Sequence, residues 1–152
     1  GGLAWCRAPG PGRRPQSRGR PTALAAALLG LTAVAARACE PGLGGEGVRR
    51  LEGKSYVLAW RAEPSQLKVS EFFALEVAAC ARAGGHPRQL RVDAQMPEHR
   101  HGMNYRPSVA SRGDGRFTAT GLLLHMPGRW EFVFDLRGPA GAETLRERVL
   151  LR

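Results

Sequence analysis

From Lys54 to Arg152 apolar and polar residues alternate in short runs of period two, the pattern of strands that bury one face. Tyr56, Leu58 and Trp60 form one such set, Phe73, Leu75, Val77 and Ala79 a second, and Leu90, Val92 and Ala94 a third. Gly84-Gly85-His86-Pro87 reads as the turn between the second and third, and Gly113-Asp114-Gly115 as the hairpin before a strand from Arg116 to Leu122. The clearest run follows Pro127-Gly128. There Trp130, Phe132, Phe134 and Leu136 share one face, while Glu131, Val133, Asp135 and Arg137 share the other, so Trp130 is expected in the core. After Gly138-Pro139-Ala140-Gly141, a last strand carries Leu145, Glu147, Val149 and Leu151 opposite Arg146 and Arg148. Six or seven such strands without a convincing amphipathic helix predict an all-β domain, an immunoglobulin-like antiparallel β-sandwich over residues 54–152.

Ahead of this pattern the chain changes character. Arg13, Arg14, Arg18 and Arg20 precede an uncharged apolar run from Ala23 to Ala36, and Ala36-Arg37-Ala38 has the small-x-small form of a cleavage site. Residues 1–38 therefore read as a basic leader and signal sequence, an N-terminal signal or anchor helix before the sandwich. The run is shorter than the roughly twenty residues that span a bilayer, so secretion is expected over a spanning anchor. Residues 39–53 are Gly-rich with little periodicity and read as a tether. Cys39 follows the cleavage site, where a lipid-modified cysteine would stand, which leaves lipid attachment at Cys39 as an alternative anchor. Cys39 and Cys80 are able to pair in an oxidising compartment, but the plainer expectation makes Cys80 a small buried hydrophobe at a strand end.

The formal charge of +10 misleads, because residues 1–38 hold six arginines and no acidic residue. The remainder has seventeen basic against thirteen acidic residues, a net +4, too little for a polyanion footprint. Nucleic acid is thus not an expected partner. Catalysis has no support either: no nucleophile with a positioned base, no phosphate loop and no paired carboxylates accompany Glu98 and His99, and the chain is not expected to be an enzyme. Arg112-Gly113-Asp114 has the form of an adhesion tripeptide, but a Gly-Asp-Gly turn explains it.

The candidate chemistry lies between Met96 and Met126. In Met96-Pro97-Glu98-His99-Arg100-His101-Gly102-Met103, an extended backbone puts His99, His101 and Met103 on one side, and Pro97 and Gly102 suggest a loop or strand end where side chains can converge. His125-Met126 leads into the Pro127-Gly128 turn, which a sandwich can bring to the same end. Neutral imidazole and thioether suit a soft, low-charge metal, so the expected cofactor is copper as Cu(I). The expected ligands are His99, His101, Met103, His125 and Met126, with Met96 in reserve; zinc on His99 and His101 is less well served. Binding to neutral imidazole predicts affinity that falls in acid.

These same strings, Met96-Pro97-Glu98-His99-x-His101-Gly102-Met103, Gly113-Asp114-Gly115-Arg116-Phe117 and Leu124-His125-Met126-Pro127-Gly128-Arg129-Trp130-Glu131, resemble the YtkA-like domain, a relative of FixH. The resemblance covers roughly Lys54 to Arg152. It implies a small immunoglobulin-like extracytoplasmic domain, secreted or tethered to the membrane by its signal anchor or by lipid. It also implies a membrane-embedded metalloprotein or oxidase assembly factor as partner, since FixH-type members are associated with copper delivery to haem-copper oxidases. Taken together, the sequence predicts an exported module of the periplasm or cell envelope that binds Cu(I) for transfer or buffering. The rival expectation is a structural or protein-binding domain of a cell-envelope complex that holds no metal.

Overall fold

The computed structural model describes residues 1, 2, 10, 12 and 39–152. The chain divides into two units, Gly1–Ala35 and Ala36–Arg152, and the β-structure belongs to the second. The expected leader, its apolar run and its cleavage site, with any signal or anchor helix, lie outside the described residues. Among the described residues no helix is long and apolar enough to cross a membrane.

The alternating runs form two antiparallel sheets, so the described residues are all-β. One sheet has the order β1 (Arg49–Glu52), β2 (Tyr56–Glu63), β3 (Phe72–Ala81), β7 (Arg116–Leu123), β6 (Ser108–Gly113). The other has the order β5 (His101–Gly102), β4 (Gln89–Met96), β8 (Gly128–Gly138), β9 (Gly141–Leu151). Their inner faces carry the predicted sets. Leu58, Trp60, Leu75, Val77 and Phe117 from the first sheet join one core with Val92, Ala94, Trp130, Phe132 and Phe134 from the second. Trp60 meets Phe132 edge-to-face at 5.2 Å and Phe73 meets the same ring at 6.0 Å, locking β2 and β3 against β8. Each large side chain buried this way contributes on the order of 1.5–3 kcal/mol, which makes these positions the energetic reason for the strands.

The Gly113-Asp114-Gly115 hairpin joins β6 to β7 as expected. Its backbone takes positive φ at all three residues, and a Cβ at Gly115 would collide with the Ala79 carbonyl, so glycine is required there. The strand pattern missed β1, β5 and β6, which are short or lie at sheet edges.

Residues 39–53 are not a loose tether, and the sheet begins at Arg49 instead of Lys54. β1 pairs with β2, matching Leu51 to Leu58, and Pro41 is buried. Arg116 donates to the Gly42 carbonyl, and Gly45 lies against the Arg61 side chain. Within this segment Glu52 and Arg50 are matched to Val57 and Ala59, and these two, like Ala78 and Cys80, are buried although they alternate away from the main core. Cys80 is likewise not a free hydrophobe: it forms a disulfide with Cys39, with Cα atoms 5.7 Å apart. A sulfur held in that bond carries no lipid, so lipid attachment at Cys39 and this disulfide exclude each other.

Among the described residues, polar bonds stitch the two sheets along one side. Arg49 of β1 pairs with Glu147 of β9 at 3.0 Å, and Glu143 at the start of β9 accepts the backbone N–H groups of Lys54, Ser55 and Tyr56 at 2.6, 3.0 and 2.9 Å. On the opposite side β4 and β6 face each other without such bonds among the described residues.

Candidate metal centre

β4 ends at Met96, and the chain turns through Pro97–Arg100 before β5 brings it back, matching Met96 to His101 and Gln95 to Gly102. His99 N–H donates to the Met96 carbonyl at 3.1 Å, and Arg100 closes the turn at φ 55°. His99 therefore stands on the turn and His101 on the returning strand, not on one extended run. Met103 continues the strand geometry, its N–H donating to Ala94 at 3.1 Å.

The second cluster lies on the connection from β7 to β8, which carries the chain from one sheet to the other. Two bonds fix it. Ser70 N–H donates to the Leu124 carbonyl at 2.8 Å, and the Trp130 indole N–H donates to the Met126 carbonyl at 3.0 Å. Trp130 itself is fully buried, so the connection is anchored to the core on both sides of the turn.

These two constraints bring the imidazoles together at one end of the sandwich. The His101 and His125 ring centroids are 5.1 Å apart, and His99 lies 5.8 Å from His101. A metal bond of about 2 Å to each ring at a near-tetrahedral angle holds two imidazole centroids about 5 Å apart, which is the observed spacing. Trp130 stands nearly perpendicular to both inner rings, with centroids 6.0 Å from His101 and 5.4 Å from His125. Alternation placed Trp130 in the core, and it is there; its role as the wall behind two histidines was not legible from that pattern, although the Met-Pro-Gly-x-Trp spacing holds the signal.

The donors differ in what occupies them. His125 is half-buried, and its Nδ1 is buried without a hydrogen-bond partner, a state that costs about 1–3 kcal/mol unless something else meets that nitrogen. His101 Nδ1 lies 3.3 Å from the Gly102 carbonyl. His99 is exposed. Met103 and Met126 are partly buried against the edge of the core. Met96 is 1% exposed and belongs to the core, its methyl group facing Gly128, so the reserve ligand is packed inward. Glu98, next to His99, pairs with Arg129 at 3.1 Å across the same end.

Among the described residues no three His, Cys, Asp or Glu side chains are gathered as a metal-holding group. The other soft donors at this end are the thioethers of Met103 and Met126. The orphaned Nδ1 of His125 and the ring spacing fit such a soft metal. The remaining histidine, His86, sits on the β3–β4 turn with its Nδ1 3.2 Å from the Ala79 carbonyl and takes no part.

No protein-family model matches the chain, and no curated protein or solved structure matches it either.

Proposed function

We propose that this domain is an exported copper-binding module, an immunoglobulin-like sandwich of the YtkA-like kind that holds Cu(I) for transfer or buffering. His101 and His125 are the inner nitrogen donors, Met126 or Met103 completes the set, and exposed His99 is the donor that first meets or last releases the metal. The reading rests on one observation above others: two imidazoles, one from β5 and one from the β7–β8 connection, stand 5.1 Å apart against a buried tryptophan, and one of them has a buried nitrogen with no partner. Cu(I) supplies that missing partner through neutral imidazole and thioether donors and brings only a single positive charge to the site. The Cys39–Cys80 disulfide supports an oxidising, extracytoplasmic location. A membrane-embedded metalloprotein or an oxidase assembly factor is the proposed partner, and membrane association would come from the signal anchor.

The deciding experiment is anaerobic Cu(I) competition against a chelator. The parent is compared with His125→Ala and with the His99→Ala, His101→Ala double substitution. Affinity is expected to fall at least tenfold in both, and X-ray absorption of the loaded parent to show nitrogen and sulfur together in the metal's shell. Unchanged retention by His125→Ala would end the proposal.

A further inference from the structure

The unstitched side of the sandwich has a feature that shares only Met103 with the copper reading. Between β4 and β6 runs a groove of about 480 Å³, with Leu90, Val92, Val109 and Pro107 in its lining. β5 pairs with β4 only at Gln95 and Met96, so the rest of β4 is an edge. The direction of that edge is fixed by Ala94. Its carbonyl accepts from Met103 on the side away from β8, and its amide is met by the Asp93 carboxylate at 2.8 Å. Backbone groups alternate sides along a strand, so the amides and carbonyls of Leu90 and Val92 point to the same open side, over the groove. Two donors and two acceptors are thus presented in strand spacing with nothing paired to them among the described residues.

The groove's charge says what would lie there. Arg91 and Arg106 both line it, both are exposed, and neither is in an ion pair among the described residues. Asp93 is the one carboxylate of the lining, and one of its oxygens is committed to the Ala94 amide. Tyr105, half exposed, adds an aromatic wall braced edge-to-face by Phe72 at 5.2 Å.

We infer that the open edge of β4 is a docking site for an extended acidic peptide segment of a partner protein, added as a strand between β4 and β6. Its backbone bonds to Leu90 and Val92, its carboxylates lie beside Arg91 and Arg106 on the outer face, and the alternate residues, small and apolar, enter the groove over Val109. Main-chain bonds give the affinity of such an arrangement and alternate side chains give its selectivity. A second copy of this chain is a poorer occupant: pairing β4 with itself through Leu90 and Val92 sets Arg91 opposite Arg91, and like charges directly across a sheet repel.

The probe is a fluorescein-labelled octapeptide of alternating glutamate and valine, titrated into the full chain by anisotropy at low and high salt. Its counterparts have lysine for glutamate, or N-methyl groups on the amides that would face β4. The acidic peptide is expected to bind at least tenfold more tightly than the lysine peptide, to weaken with salt, and to lose binding on N-methylation. It is also expected to slow amide exchange at Leu90 and Val92. The Arg91→Glu, Arg106→Glu double variant, at two exposed positions that leave the core untouched, should invert the preference toward the lysine peptide. No binding at millimolar peptide, equal binding of the two charge types, or bound peptide without protection at Leu90 and Val92 would each overturn the inference.

Discussion

Met96 and Met126 are the same residue type in the same His/Met-rich region, yet their surroundings assign them different work. Met96 closes the inner face of β4 and is buried beside Gly128, whereas Met126 lies at the rim, its backbone carbonyl held by Trp130. Met96→Leu, a swap that roughly conserves volume, should cost under about 1.5 kcal/mol and leave Cu(I) affinity within twofold. Met126→Leu should do the reverse, barely moving the urea midpoint while weakening Cu(I) in the chelator competition by tenfold or more. Equal copper binding by the two variants would remove Met126 from the donor set. The sequence announced the cluster because His and Met are concentrated there, and Met96 also continues the alternation of Leu90, Val92 and Ala94, which is what turns its sulfur inward and separates it from Met126. His99 was not legible in this way: an extended backbone would align it with His101, but the turn at Pro97–Arg100 moves it onto the loop.

At the scale of elements, the strands that were legible are those with one face in the core. β2, β3, β4, β7, β8 and β9 each place an alternating set of apolar residues in the core, although β2 and the end of β3 bury their other face as well, and a slip of one position would expose the whole set. β6 has no fully buried residue and β5 has two residues in all, so neither leaves a periodic trace. β1 hides for another reason. Its segment is held by partners distant in sequence, namely the disulfide from Cys39 to Cys80, the Gly42 carbonyl on Arg116, and the ladder to β2. The disulfide closes a separation of 41 residues, for which chain entropy alone gives about 4 kcal/mol. Reduction should therefore lower stability by a few kcal/mol, read as a shift of the urea midpoint with and without reductant. Amide exchange should accelerate first in β1 and the residues before it, because they are the part that the bond pins to the outer face of β3. An unchanged midpoint would mean that the unfolded chain is already restrained there by other means.

Across the whole molecule, the two sheets are held by apolar packing in the middle and by polar bonds along one side, and Glu143 is the centre of that side. It begins β9 in one sheet and receives three N–H groups from the turn before β2 in the other. Burial alone would push this carboxyl up, but the N–H groups of Ser55, Tyr56 and Lys54, with the nearby Arg82 guanidinium, hold it below the usual carboxylate range. Glu131 is held low as well, by its hydrogen bond from Gln95 against the opposing effect of burial, and then by Arg146 and Arg148. A carboxyl whose folded value is depressed stabilises the fold above its unfolded value and loses that contribution as pH falls through the folded one. Stability should therefore decline on the acid side in the window below ordinary carboxylate titration, and Glu143 should account for part of it. Glu143→Gln keeps the shape but offers one oxygen where the carboxylate offered two, and should cost about 1–3 kcal/mol near neutrality. The gap between parent and variant should narrow as pH drops from about 5 toward about 2, since protonation makes the parent resemble its amide. Urea midpoints measured across that range test this: a gap that stays constant with pH would show that Glu143 acts through shape alone, and that its charge plays no part in joining the two sheets.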